Sequence, residues 1–354
     1  MLLQHLMMIE STGTLMRNAM ISELCFRAVR LSLILGLAVA VNAAAQICYT
    51  ANEMEPPVRT AIESSAQQIF DMAAKGDVFG LKQNAGPAVA NDFSGIERAV
   101  VANQEGLSGG QPSLRASYLL DATGGEQTVQ QAEFYCGIFG ARGQTSNSAG
   151  FRIPNLPAGR YAVTIQDVVG KKGPYTLSLV LQEAGGAWKL AGFYAKSGSI
   201  AGHDAQWFLT KAREYKAKGQ NLNAYFYFIQ GRDLLAPVPF MSTLELDKVF
   251  DEAQTAQTSD IPTNKPVPLT SGSATYNVIQ MFPVVVGDQL ALVVKYQWPD
   301  ISDTGATFQQ NMNVMRAALT KWPELREGFQ TIVARAVAPA GNDYGSMMAM
   351  KDVK

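Results

Sequence analysis

The feature that most constrains this chain lies near its front, where Arg27 and Arg30 precede the apolar run Leu31–Val41 and then Ala43-Ala44-Ala45. A cationic stretch, a short apolar stretch and an A-x-A site together describe a secretory signal peptide, with cleavage between Ala45 and Gln46. The run is short for a bilayer span, which takes about 20 apolar residues. Two alternatives stand beside cleavage. One is retention as an N-terminal anchor, since no charge lies between Arg30 and Glu53; the other is acylation at Cys48, which the preceding Ile47 disfavours. Met16 and Met20 are further candidate starts, and Met16-Arg17 gives the more ordinary cationic region. The expected product is therefore a soluble bacterial protein, periplasmic or secreted, and fold reasoning begins at Gln46.

The formal charge is −1, and neither sign forms a block. The largest basic cluster, Lys211 to Lys218, sits on a predicted helix and reads as a solvated face, because a nucleic-acid site needs a clustered basic surface. No nucleic-acid partner is expected, nor a membrane contact after cleavage. Of three cysteines, Cys25 leaves with the signal peptide. Cys48 and Cys136 then form either a disulfide, as an oxidising compartment allows, or two separate thiols. Sequence does not give the distance that decides between them.

Hydrophobic periodicity divides the rest. Val58, Ile62, Ala66, Ile69, Phe70 and Ala73 share a helical face that Gly76 ends, and Ser94-Gly-Ile-Glu97 reads as a capping box for a second helix. The period then becomes two, predicting strands at Leu114–Asp121, Val129–Phe139, Arg160–Asp167, Tyr175–Gln182 and Ala187–Lys196, with a loop over Gly140–Gly150. From Asp204 it is helical again: Asp204 and Asn221 are candidate caps, Pro237 and Pro239 stop the second helix, and Ser242-Thr-Leu-Glu245 opens a third. The proline-rich stretch 257–273 reads as a linker. Beyond it the pattern predicts a ββαββ unit with Phe308, Met312, Met315 and Leu319 on its helix. The fold class is thus α+β: N-terminal helices on a curled antiparallel sheet (46–200), a helical middle (201–256), a linker (257–273) and a C-terminal α+β domain (274–354).

The closing hairpin of the first unit, Tyr-Thr-Leu-Ser-Leu-Val-Leu-Gln then Gly-Gly-Ala-Trp188-Lys-Leu-Ala-Gly-Phe-Tyr194, resembles small members of the nuclear transport factor two-like (cystatin-like) superfamily. The resemblance covers about residues 58–197. It implies a cone-shaped α+β domain with a pocket, and no particular reaction. Phe151-Arg-Ile-Pro-Asn-Leu-Pro-Ala-Gly-Arg-Tyr161 resembles a stretch of prealbumin-like β-sandwich modules, which the preceding helices fit poorly. Residues 204–236 resemble a single tetratricopeptide-type helix pair, fewer than the three or so repeats an independent solenoid needs.

The catalytic inventory is sparse. The mature chain has one histidine, His203, followed by Asp204, and the pair reads as a helix entrance. One histidine and two separated cysteines do not make an ordinary zinc site, and neither an EF-hand spacing nor a phosphate loop appears. No catalytic, cofactor or metal residues are therefore assigned. Asp121, Glu133 and Asp167 lie on or beside strands, and Glu133 alternates to the face opposite Phe134 and Cys136. The aromatic run Tyr225–Phe228 covers more than one helical face, as a helix wedged between two neighbours does. The expectation is a non-enzymatic binding or scaffolding protein of the bacterial cell envelope, with a protein partner, a second copy or a small molecule as ligand. The alternative is an isomerase or hydrolase using a buried carboxylate in the cone.

Overall fold

The computed structural model describes residues 46–354 apart from 125–127, 139–142, 264 and 288. Ala45, on one side of the expected cleavage site, lies outside the described residues. A short strand β1 (Ile47–Thr50) leads into helices α1 (Pro56–Lys75), α2 (Val78–Gln83) and α3 (Ser94–Leu107). Proline at the first positions of α1 starts it without losing a hydrogen bond, and Gly76, at φ 70°, ends it in the left-handed conformation that glycine adopts without strain. Its buried stripe is Ile62, Ala66, Ile69, Phe70 and Ala73, the face the spacing predicts. At α3 the expected cap is shifted: Ser94 is inside the helix, Phe93 precedes it, and the Asp92 carboxylate accepts from the Ser94 backbone N–H at 3.0 Å.

The strands that follow are β2 (Gln111–Asp121), β3 (Thr128–Cys136), β4 (Ala149–Pro157), β5 (Arg160–Gly170), β6 (Gly173–Ala184) and β7 (Ala187–Ser197). Four of them join β1 in a five-stranded antiparallel sheet in the order β1-β2-β5-β6-β7. Gly185 and Gly186 both take positive φ, as a two-residue hairpin turn demands, and join β6 to β7 in the predicted place. The β3–β4 hairpin leaves this sheet and folds over its second face. One face, carrying Leu119, Ala162, Leu177, Leu179 and Leu181, packs on α1 and α3. The other, with Tyr118, Leu120, Tyr161, Val163 and Ile165, packs on Phe134, Cys136, Phe151 and Leu156 of the hairpin. Side chains thus fill the sheet on both sides, and β5 is buried from Tyr161 to Gln166 without alternation.

β4 departs from the sequence reading, which placed a loop and a turn there. Pro154 and Pro157 disguise it, and they are tolerated because β4 turns one edge away from the ladder it makes with β3. Cys48 and Cys136 are joined by a disulfide with Cα atoms 4.9 Å apart, closing 88 residues of sequence and fixing β1 to β3.

The middle and C-terminal segments comprise β8 (Ser199–Ile200), β9 (His203–Asp204), α4 (Ala205–Ala217), α5 (Asn221–Leu235), β10 (Met241–Ser242) and α6 (Leu244–Gln254). After these come β11 (Val267–Ser271), β12 (Ala274–Val286), β13 (Gln289–Gln297), α7 (Thr304–Lys321), α8 (Leu325–Gly328), β14 (Thr331–Val337) and β15 (Asp343–Ala349). Asp204 caps α4, accepting from the Trp207 N–H at 2.9 Å. Thr243, one residue later than expected, caps α6, and Asn221 lies inside α5 instead of capping it.

The second half of the expected linker is the edge strand β11. Pro268 fits there, and Leu269 and the preceding Ile261 are buried. The C-terminal sheet runs β11-β12-β13-β14-β15, with α7 making the crossover between the parallel pair β13 and β14. One continuous core joins α4, α5, α6 and α7 to one face of this sheet. The aromatic run of α5 packs both ways as expected: Phe226 and Tyr227 each meet Phe329 edge-on, and Tyr227 also meets Phe208 and Tyr215. Carbonyls around α8 accept from Tyr215, Asn223 and Tyr227, at 3.1, 2.6 and 2.6 Å, and so pin the middle helices to the C-terminal unit. No helix among the described residues is long and apolar enough to cross a membrane.

Candidate functional site

The candidate site is built where the chain leaves α5. Pro237 has no N–H to continue a helix, so the chain extends and crosses the hairpin side of the main sheet. Lys196 on β7 donates its ammonium to the Asp233 and Ala236 carbonyls at the end of α5, where a cation suits the helix dipole. Burial lowers the Lys196 pKa below the ordinary lysine value. The Ser178 hydroxyl donates to the Pro237 carbonyl at 3.2 Å, and Val238 and Met241 enter the hairpin core. Met241 and Ser242 then pair with Phe151 and Gly150 of β4 as strand β10. The segment 237–242 therefore bridges the main sheet and the hairpin.

Between the bridge, the hairpin and the sheet lies a cleft of about 900 Å³. Its apolar surface comes from Ile153, Leu156, Val180, Ala191 and Phe240. Phe240 meets Tyr194 edge-on, with ring centroids 5.6 Å apart. The free edge of β4 contributes to one wall. The Arg152 N–H of that edge is used by the Phe240 carbonyl, and Pro154 has none to offer, so the wall is a poor template for an added peptide strand. The site is thus suited to a compact ligand.

Four charged residues line the cleft. Glu133 and Arg152 form a cross-strand ion pair at 3.0 Å, and the Tyr135 hydroxyl donates to Glu133 at 2.8 Å. That hydroxyl, with Arg152 behind it, holds the Glu133 carboxyl below its ordinary pKa. Asp247, in the first turn of α6, accepts from the Ser242 hydroxyl at 2.6 Å. Arg232 is different. Its Nε donates to the Leu246 carbonyl at 3.2 Å and its guanidinium lies over Phe250, yet no carboxylate pairs with it among the described residues. Tyr194, with its hydroxyl pKa pushed up by burial, completes the lining near Phe240.

The structure does not gather the carboxylates singled out by sequence. Asp121 lies opposite Arg160 at one end of the β2–β5 pair and Asp167 opposite Ser113 at the other, while Glu133 is on the separate hairpin. Asp121 accepts from the N–H and hydroxyl of Thr123, and Asp167 faces Arg115 at 3.4 Å. Every displaced carboxylate pKa among the described residues is displaced downward, each led by a hydrogen bond to the charged form. His203 stacks flat on Trp207 with ring centroids 3.6 Å apart, beside the Asp204 cap, which is the helix entrance expected of the pair.

Sequence reasoning did not find Arg232 or the bridge. The signal was present but weak: Arg232 and Asp233 follow the aromatic run of α5 just before Pro237 and Pro239. No family model matches the chain, no curated protein matches it, and no solved structure matches it. Its function is therefore argued from geometry.

Proposed function

We propose that the chain is a non-enzymatic binding protein of the bacterial cell envelope, with the cleft between the β3–β4 hairpin and segment 237–242 as its ligand site. The observation that carries the reading is a preformed cleft of about 900 Å³ whose apolar surface is ringed by a few placed polar groups, the usual character of a small-molecule site. The Cys48–Cys136 disulfide suits an oxidising compartment, in keeping with the export signal. The isomerase or hydrolase alternative needs an acid with a raised pKa in an enclosed apolar pocket. Against it stand the packed faces of the main sheet and the separation of Asp121, Glu133 and Asp167, each already engaged by a hydrogen bond or an ion pair. A neutral hydrophobic dye such as Nile red is the test. It is expected to bind the protein with fluorescence enhancement and to lose that binding in Ala191→Phe, which fills the cleft. Failure of the wild type to bind the dye, or unchanged binding by the variant, overturns the reading.

A second copy of the chain is a second reading, carried by the C-terminal sheet. Its outer face sets Phe282, Val293, Val333 and Met347 side by side across four strands. The edge strand β15 has neither proline nor lysine between Asp343 and Ala349, unlike β11 with Pro268, and an antiparallel edge can pair with its own copy about a two-fold axis. Sedimentation velocity decides it: a dimer lost in Met347→Glu supports the reading, and a monomer at all concentrations ends it.

A further inference from the structure

The chemistry of the cleft says what kind of molecule would fill it, granted the reading of the cleft as a ligand site. We propose that the ligand is an amphipathic monocarboxylate, its apolar body along Ile153, Leu156, Val180 and Phe240 and its carboxylate on the guanidinium of Arg232.

Arg232 is half-buried, and a guanidinium offers five N–H donors in a planar fork. Only its Nε has a hydrogen-bond partner among the described residues, the Leu246 carbonyl. Neither Nη is buried without a partner, so both are open to water in the cleft, which a carboxylate can replace with two parallel hydrogen bonds matched to the fork. The second observation is Tyr194, which lines the same cleft and whose hydroxyl makes no hydrogen bond to any described residue. It supplies a neutral donor beside the apolar surface.

Charge sets the valence of the ligand. Arg152 is neutralised by Glu133, and Asp247 lines the cleft with one oxygen engaged by Ser242. The four charged groups therefore sum to zero, with Arg232 the one cation that lacks a carboxylate within ion-pair distance. A monoanion meets one cation there. A phosphate dianion would bring a second charge toward Asp247 and Glu133, where like charges repel. A cationic head would find Glu133 already paired, and at Asp247 would meet a carboxylate with one oxygen engaged by Ser242, in a cleft that also holds Arg232.

The test is isothermal titration calorimetry of the purified protein with four probes of matched chain length: decanoate, decanol, decyltrimethylammonium and decyl phosphate. Decanoate is expected to bind about ten- to a hundredfold more tightly than decanol, the span of a hydrogen-bonded charge, and the ammonium compound more weakly than either. Arg232→Gln is expected to bring decanoate to the level of decanol while leaving decanol binding unchanged, and Tyr194→Phe to weaken decanoate by a smaller factor. Equal binding of decanoate and decanol by the wild type overturns the anionic ligand and leaves the cleft reading standing. Tighter binding of decyl phosphate overturns the monocarboxylate. Binding of none of the four, together with no Nile red binding, overturns the cleft itself. Should Arg232→Gln not fold, the wild-type order of the four probes decides alone.

Discussion

The two large sheets of this protein have five strands each, but they are finished differently. The N-terminal sheet is covered on both faces, by α1–α3 on one side and by the β3–β4 hairpin and segment 237–242 on the other. The C-terminal sheet is covered on one face by α5 and α7, and its outer face carries half-buried Phe282 and Val284 beside exposed Val286 and Met347. Double coverage buries both faces of a strand, as along β5, while under single coverage β14 alternates, although the central strand β13 is buried throughout Leu290–Val294. Double coverage also creates a seam, because two layers laid on one sheet from different parts of the chain meet imperfectly. The cleft lies along that seam, at the edge of β4 where the bridge crosses.

The largest contrast comes from truncating one phenylalanine in the hairpin that covers the N-terminal sheet and one on the outer face of the C-terminal sheet. Phe134 is fully buried between hairpin and sheet, so Phe134→Ala is expected to cost about 3–5 kcal/mol. Phe282 on the outer C-terminal face is only half-buried, and Phe282→Ala is expected to cost about 1 kcal/mol or less. Urea denaturation of the two variants measures the contrast. Similar losses would mean that the outer face is covered in solution, which would favour the dimer.

A slightly smaller effect separates the two units by chemistry. The disulfide ties β1 to the hairpin and touches nothing C-terminal, so Cys48→Ala with Cys136→Ala is expected to destabilise by about 2–5 kcal/mol. Hydrogen exchange should show the loss concentrated in β1, β3 and β4, with β12 to β14 unchanged. Uniform loss over both sheets would mean that the units unfold as one, through the contacts that α5 makes at its two ends.

How much of this was legible in sequence depended on how many layers a residue touches. The helices α1 and α4 bury one stripe each, and β6, though covered on both faces, still alternates its leucines with Thr176, Ser178 and Gln182, so period and turn residues mark them. β4 was not legible, because Pro154, Pro157 and Gly159 read as a turn; only the neighbouring hairpin strand makes extended backbone the better choice. β11 was read as linker for the same reason, its proline being acceptable only once it lies at an edge. The Cys48–Cys136 pairing was one of two open readings, since the approach of β1 to β3 is a tertiary fact. Arg232 belongs to the same class. Its meaning depends on the bridge, on Leu246 and on there being no carboxylate within ion-pair distance among the described residues, none of which spacing along α5 encodes.

The smallest expected effect sharpens the contrast through acid stability. On the outer face of the C-terminal sheet, Asp343 pairs with Arg335 across β14 and β15, and the guanidinium holds its carboxyl below the ordinary aspartate value. A depressed carboxylate pKa contributes stability at pH above the unfolded value, about 3.9, and loses it as pH falls through the folded value. The contribution of this pair is therefore full at neutral pH and is lost progressively as pH falls from about 4 through the folded value. Because Asp343 and Arg335 are partly exposed, solvent screens the pair, and salt should weaken it further. Asp343→Asn is thus expected to lower the melting temperature slightly at pH 7, with the deficit shrinking as pH falls below about 4 and shrinking also in high salt. A deficit that persisted undiminished at pH 3 would place the role of Asp343 in packing β15 against β14 and remove charge from the account of this face.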